Sequence, residues 1–174
     1  MRARFLLIPV ATLGVVQPVH AEVYLSVEQA QTLMFPGATF TPEFRTLTKD
    51  QISAIEKASD TNVLNSDLKV WRVSTGGWFI ADEVVGKHEF IPFALALDHA
   101  GAVKDIEILE YREAYGGQIR EADWRAQFTG KDKAATLRLT KDIQNISGAT
   151  LSSKHITDGV RRLLATHALL FAGH

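Results

Sequence analysis

Between residues 68 and 113 the chain falls into four runs rich in apolar residues, with turn residues between them. "LKVWRVST" (68–75) alternates apolar and polar residues, Gly76-Gly77 breaks it, and "WFIADEVV" (78–85) follows. "EFIPFALALD" (89–98), a turn at His99-Ala100-Gly101 and "AVKDIEILEYRE" (102–113) complete the series. A period of two interrupted by glycine turns is the pattern of hairpins, and consecutive hairpins build a mainly antiparallel sheet. Val103, Ile106, Ile108 and Tyr111 fall out of step once, which predicts a slip or bulge in the last strand. Pro92 has no N–H to give to a ladder, so its strand is expected at an edge or with a bulge.

Helices are expected on either side of this sheet. Ser26 with Gln29, and Thr48 with Gln51, each form an S/T-x-x-Q capping box, predicting helices over 27–34 and 49–58. Pro36-Gly37 ends the first of them. "EADWRAQF" predicts a short helix over 121–128, with Trp124 and Phe128 one turn apart. Ile156, Val160, Leu163, Leu164, His167 and Phe171 recur at helical spacing and predict a helix over 153–171. "AATLRLT" (134–140) reads as a further strand or as irregular chain. Helices segregated around an antiparallel sheet make a single α+β domain.

Composition limits the chemistry. The chain has 174 residues, 46% of them hydrophobic and 22% charged, enough for an ordinary core and too apolar for a disordered chain. A net charge of −1 without a basic patch excludes nucleic acid as a partner. There is no cysteine, so thiolate catalysis, iron–sulfur clusters, c-type haem and a disulfide-linked partner are all excluded.

The first residues, "MRARFLLIPVATLGVVQPVHA", resemble a secretory leader. Arg2 and Arg4 form the charged end, Phe5 to Val16 the apolar core, and Val19-His20-Ala21 the small-residue cleavage site. Cleavage after Ala21 and a periplasmic location are expected. Retention of the segment as an uncleaved anchor is the other reading of the same stretch. Losing residues 1–21 removes two arginines and no acid, taking the net charge from −1 to −3.

"SGATLSS" (147–153) is where small residues and hydroxyls crowd before the last helix. Gly148 and Ala149 let a ligand approach the backbone. Ser147, Thr150, Ser152 and Ser153 supply hydroxyls, and the free N–H groups of a helix start favour a phosphate. The same residues also fit a plain helix cap made by Ser152 or Ser153.

Ser147, Gly148, Ala149 and Thr150, continued by Leu151, Ser152 and Ser153, resemble the S/T-G-A-T motif of the FMN-binding domain family. That family includes the C subunit of the sodium-pumping NADH:quinone reductase and the G subunit of the Rnf complex. The resemblance covers roughly residues 68–170. It implies an FMN-binding domain over 67–172, preceded by a helical segment at 22–66. It further implies FMN carried on Thr150 through a phosphoester, a flavin transferase that installs it, and electron transfer with a membrane-bound or periplasmic redox partner. Members that carry the flavin covalently usually have an Asp three residues before the S/T. Gln144 stands there in this chain, and the nearest acid is Asp142. The family's E-T-x-G segment near the flavin corresponds to Glu113, Ala114, Tyr115 and Gly116, with Ala114 in place of threonine. Tyr115 there is a candidate to stack on the flavin ring, or else part of a polar turn.

Among residues that the motifs do not name, Trp78 beside Gly76-Gly77 is the best tryptophan candidate for a ring contact, with Trp71 and Trp124 expected in the core. His155 is a candidate proton partner or a solvated helix residue. Asp158, Arg161 and Arg162 read as a solvated face or a docking surface. No histidine pair has metal-ligand spacing, and no G-x-S-x-G elbow is present. A non-redox binding module, with the SGAT loop as a cap or as another phosphate site, is the competing reading.

Overall fold

Ser26 and Thr48 open the first two helices in the way their spacing requires. The computed structural model describes residues 22–172 apart from Ala114, so the expected leader lies outside the described residues. Helix α1 spans Val27–Met34 and α2 spans Lys49–Ser59, each with a complete reciprocal capping box. The glutamine side chain bonds the cap backbone and the cap hydroxyl bonds the glutamine backbone, so two otherwise orphaned N–H groups are satisfied at each start.

The alternating runs become strands β4 (Asp67–Val73), β5 (Trp78–Val85), β6 (Phe90–Leu97) and β7 (Val103–Ile108). They pair antiparallel in chain order, and β2 (Phe40–Pro42) and β3 (Arg45–Thr46) both pair with β4. β1 (Glu22–Val23) pairs with β8 (Glu110–Tyr111) in a separate ribbon. Residues 22–66 therefore contribute three short strands as well as two helices. The expected slip is present as a register shift at Ala96/Leu97 opposite β7. Pro92 is not at an edge, because β6 is paired on both sides. It sits one residue beyond the last β6–β7 pair, Phe93↔Ile108, where its carbonyl accepts from Leu109 N at 2.9 Å. The missing N–H thus falls where the neighbouring ladder has already ended.

The alternation sends two sets of side chains to opposite faces. Val70, Ile80, Val84, Ile91, Phe93, Leu95, Ile106 and Ile108 form the main core with α4 (Thr150–Leu170), through Ile156, Val160, Leu163 and Leu164. Phe79, Ala94 and Ala96 point the other way, onto Ala30, Met34 and Phe35 at α1. Phe93 is fully buried, and burial of such a ring stabilises by roughly 1.5–3 kcal/mol relative to exposure. Residues 134–140 are irregular, with Leu137 N and Arg138 N both held by the Asp142 carboxylate.

Helix α4 runs antiparallel to β5. Its first turns meet the end of that strand, where His155 Nδ1 bonds the Val85 carbonyl. Its last turn meets the start, where the Trp78 and Phe171 rings lie 4.8 Å apart. The fold thus presents the N-terminus of α4 at one end of the sheet, beside the β5–β6 turn and the segment after β8.

Candidate functional site

The chain reaches that end of the sheet through a braced loop. Helix α3 (Ala122–Ala126) and the residue after it grip Gln144 on both sides. Trp124 Nε1 donates to the Gln144 carbonyl at 2.8 Å, and Gln144 N donates to Gln127 Oε1 at 2.7 Å. Ala149 N then donates to the Ile146 carbonyl at 3.0 Å, closing a turn in which Gly148 takes φ +82°. Helix α4 starts at Thr150, three residues earlier than the apolar spacing suggests, with Ala149 at the cap position.

No side chain caps this start. Ser152 and Ser153, the expected cap residues, lie inside the helix and are buried. Ser153 Oγ donates back to the Ala149 carbonyl at 2.9 Å, and Ser152 Oγ bonds the Tyr111 hydroxyl at 2.9 Å. The N–H groups of Thr150, Leu151 and Ser152 have no acceptor within the helix, so the positive end of α4 is open to an anion.

These residues border a cleft of about 440 Å3, within the ~300–1,000 Å3 range of small-molecule sites. Gly148, Ala149, Thr150, Leu151 and Ser152 form one wall. Glu113 and Tyr115 form another, and Lys87 with His88 a third. Glu113 is clamped: its carboxylate accepts from His88 N at 2.6 Å and Glu89 N at 3.1 Å. Burial pushes its pKa up, but these backbone donors outweigh the burial and hold it below the usual value, so it stays ionised. Its effect is to fix the turn that carries Lys87 and His88. Tyr115 is 83% exposed at the rim, so its ring is free to cover a planar ligand.

Three of the expected site residues are not on the cleft wall. Ser147 is exposed within the turn, Ser153 is buried behind the helix, and Gly116 packs underneath. A Cβ at Gly116 would sit 2.5 Å from the Tyr111 hydroxyl and 3.0 Å from the Ala149 Cβ, so this glycine lets the loop close against the start of α4. Tyr111 donates to the Tyr115 carbonyl at 2.5 Å, tying the same loop down. Burial raises the Tyr111 pKa, partly offset by the Ser152 bond, which keeps the phenol protonated as a donor.

Trp78 is far from this cleft. It packs against His167 and Phe171 at the opposite end of α4. At ~3.3 Å per residue, β5 separates it from Val85 by about 23 Å. Arg161 and Arg162 are not a solvated face. Arg162 is buried and binds the Asp82 carboxylate at 2.7 Å and the Asn62 carbonyl at 2.9 Å. Arg161 binds the Ser59 and Leu137 carbonyls at 2.6 Å each. His155 turns away from the cleft toward Val85. Lys87 and His88 escaped the sequence reading, since only the register of β5, β6 and β8 brings their turn beside Glu113.

The donor set suits a phosphate-bearing, partly apolar ligand: three open helix N–H groups, the exposed Thr150 hydroxyl, the Lys87 cation, and apolar surface from Leu151 and Tyr115. Among the described residues no group of His, Asp and Glu is arranged to hold a metal ion, and no helix is long and apolar enough to cross a membrane. One protein family, described as the FMN-binding domain, matches residues 86–165. The match spans every residue of the cleft wall, from Lys87 to Ser152, and leaves out Trp78. No curated protein matches the chain.

Proposed function

We propose that this protein is an exported electron carrier holding FMN covalently on Thr150, a reading supported by the match of residues 86–165 to the FMN-binding domain family. The observation that carries the reading is the position of Thr150. It is the first residue of an uncapped helix, exposed, on the wall of the cleft. In the attachment reaction Thr150 Oγ1 bonds the flavin-side phosphorus of FAD, and the bond from that phosphorus to the bridging oxygen breaks. AMP leaves with the electron pair, and the hydroxyl proton passes to solvent. A flavin transferase supplies the catalysis. The phosphodiester keeps one negative charge, which the N–H groups of Thr150, Leu151 and Ser152 and the Lys87 ammonium are placed to stabilise.

When bound, FMN supplies one- and two-electron redox chemistry. The chain's part is to hold it: Glu113 fixes the turn bearing Lys87, and Tyr115 shields one side. A covalent link prevents loss of the flavin outside the cytoplasm, which agrees with the leader expected at residues 1–21. The partner is a membrane-bound or periplasmic redox protein, as for the reductase and Rnf subunits that the motif resembles.

Intact mass of the protein coexpressed with a flavin transferase tests attachment and export together. The expected species begins at Glu22 and is heavier by one FMN less one water. Its band fluoresces on a denaturing gel, and Thr150→Ala loses that fluorescence. Purified protein without flavin of any kind would sink the reading; an intact leader with flavin present would leave an anchored carrier.

A further inference from the structure

Asn145 Nδ2 lies 3.0 Å from Thr150 Oγ1 and donates to it. The two residues are five apart, and the turn through Gly148 folds one back onto the other. Asn145 is itself held in place, because the backbone of its neighbour Gln144 is bonded at both N–H and carbonyl by Gln127 and Trp124. A braced amide is therefore aimed at the one hydroxyl that the proposed function uses.

We infer that Asn145 is a positioning residue for flavin attachment: its amide fixes the Thr150 hydroxyl in one rotamer. The inference rests on Thr150 being the attachment residue. A hydroxyl oxygen has two lone pairs and one proton. The Asn145 bond occupies one lone pair, leaving the other lone pair and the O–H directed outward to meet phosphorus and a base. The reaction is the one already balanced above: the Oγ–P bond forms, the P–O–P bond breaks, AMP leaves and the hydroxyl proton departs. Once esterified, Oγ1 becomes a poor acceptor. The amide is then free to donate to a non-bridging phosphate oxygen one bond further on, helping to hold the product. This chain thus orders Thr150 with a neutral donor at 145, while position 144, acidic in covalently flavinylated relatives of the motif, carries an exposed glutamine.

The test compares wild type, Asn145→Ala and Asn145→Asp, each full-length and secreted with the same transferase. Adduct formation is followed by mass against time, beside thermal unfolding of the flavin-free protein. Asn145→Ala is expected to slow attachment about five-fold, the equivalent of one neutral hydrogen bond, with unfolding unchanged because the pair is exposed. Asn145→Asp keeps the shape but cannot donate and adds a negative charge beside the phosphate, so it is expected to be at least as slow. If wild type takes up the adduct and Asn145→Ala matches its rate, the inference alone fails. If Asn145→Asp is faster than wild type, the position calls for an acid and the donor role is overturned. If wild type forms no adduct, the Thr150 reading fails and takes the positioning role with it.

Discussion

Tyr111 and Ser152 are hydrogen-bonded at 2.9 Å, and the bond joins the strand that leads into the tyrosine loop to the first turn of α4. The phenol gives its only proton to the Tyr115 carbonyl at 2.5 Å, so Ser152 is the donor in the pair. One buried side chain therefore sets the distance between two walls of the cleft. Tyr111→Phe leaves the Ser152 hydroxyl and the Tyr115 carbonyl without this partner. It is expected to lower stability by about 1–3 kcal/mol and to weaken binding of free FMN by Thr150→Ala protein. Urea unfolding and fluorescence titration check the two effects. Unchanged FMN affinity would show that the bond serves the core alone.

Two glycines at the site separate strain from contact. Gly148 takes φ +82° with no atom within 4 Å of where a Cβ would stand. Gly148→Ala is expected to lose only the left-handed penalty, about 1–2 kcal/mol. Gly116 takes φ +100° and a Cβ there meets the Tyr111 hydroxyl at 2.5 Å. Gly116→Ala adds overpacking of about 1–3 kcal/mol to the same penalty. Denaturant midpoints of the two variants should therefore differ clearly; equal losses would mean that the loop relaxes away from Tyr111.

The sheet was legible because its signals are local. Alternation in "LKVWRVST", the Gly76-Gly77 turn and the lost step after Val103 each act within a few residues, and each appears in the strands. The capping boxes at Ser26 and Thr48 were legible for the same reason. Contacts between distant segments were not. Ser152 and Ser153 look like caps in sequence, but Tyr111 and the Ala149 carbonyl claim their hydroxyls, and the helix starts at Thr150. Arg162 looks like a surface residue until the Asp82 carboxylate and the loop at Asn62 meet it in the interior. β2 and β3 are too short and too exposed to show a period. The motif at 147–150 located the cleft, while Lys87 and His88 on its third wall required strand register to find.

At the far end of α4, His167 is buried between Trp78 and Phe171, and its Nε2 has no hydrogen-bond partner among the described residues. The Gly101 turn covers it so closely that a Cβ there would stand 2.8 Å from the imidazole Cε1. Burial lowers its pKa below 6.5, and the charge of Asp98 only partly counteracts this. The folded protein therefore keeps His167 neutral while the unfolded chain protonates near 6.5. Between the folded pKa and 6.5 the unfolded state binds more protons, so stability rises with pH across that window. The contribution is fully present above 6.5 and is lost as pH falls below it, at no more than about 1.4 kcal/mol per pH unit for one proton. His167→Leu removes the titrating nitrogen along with its ring contacts. It should be less stable than wild type at neutral pH, yet lose less on acidification. Urea midpoints of both proteins on either side of pH 6.5 measure the difference. Parallel acid slopes would show that His167 is not the group that titrates.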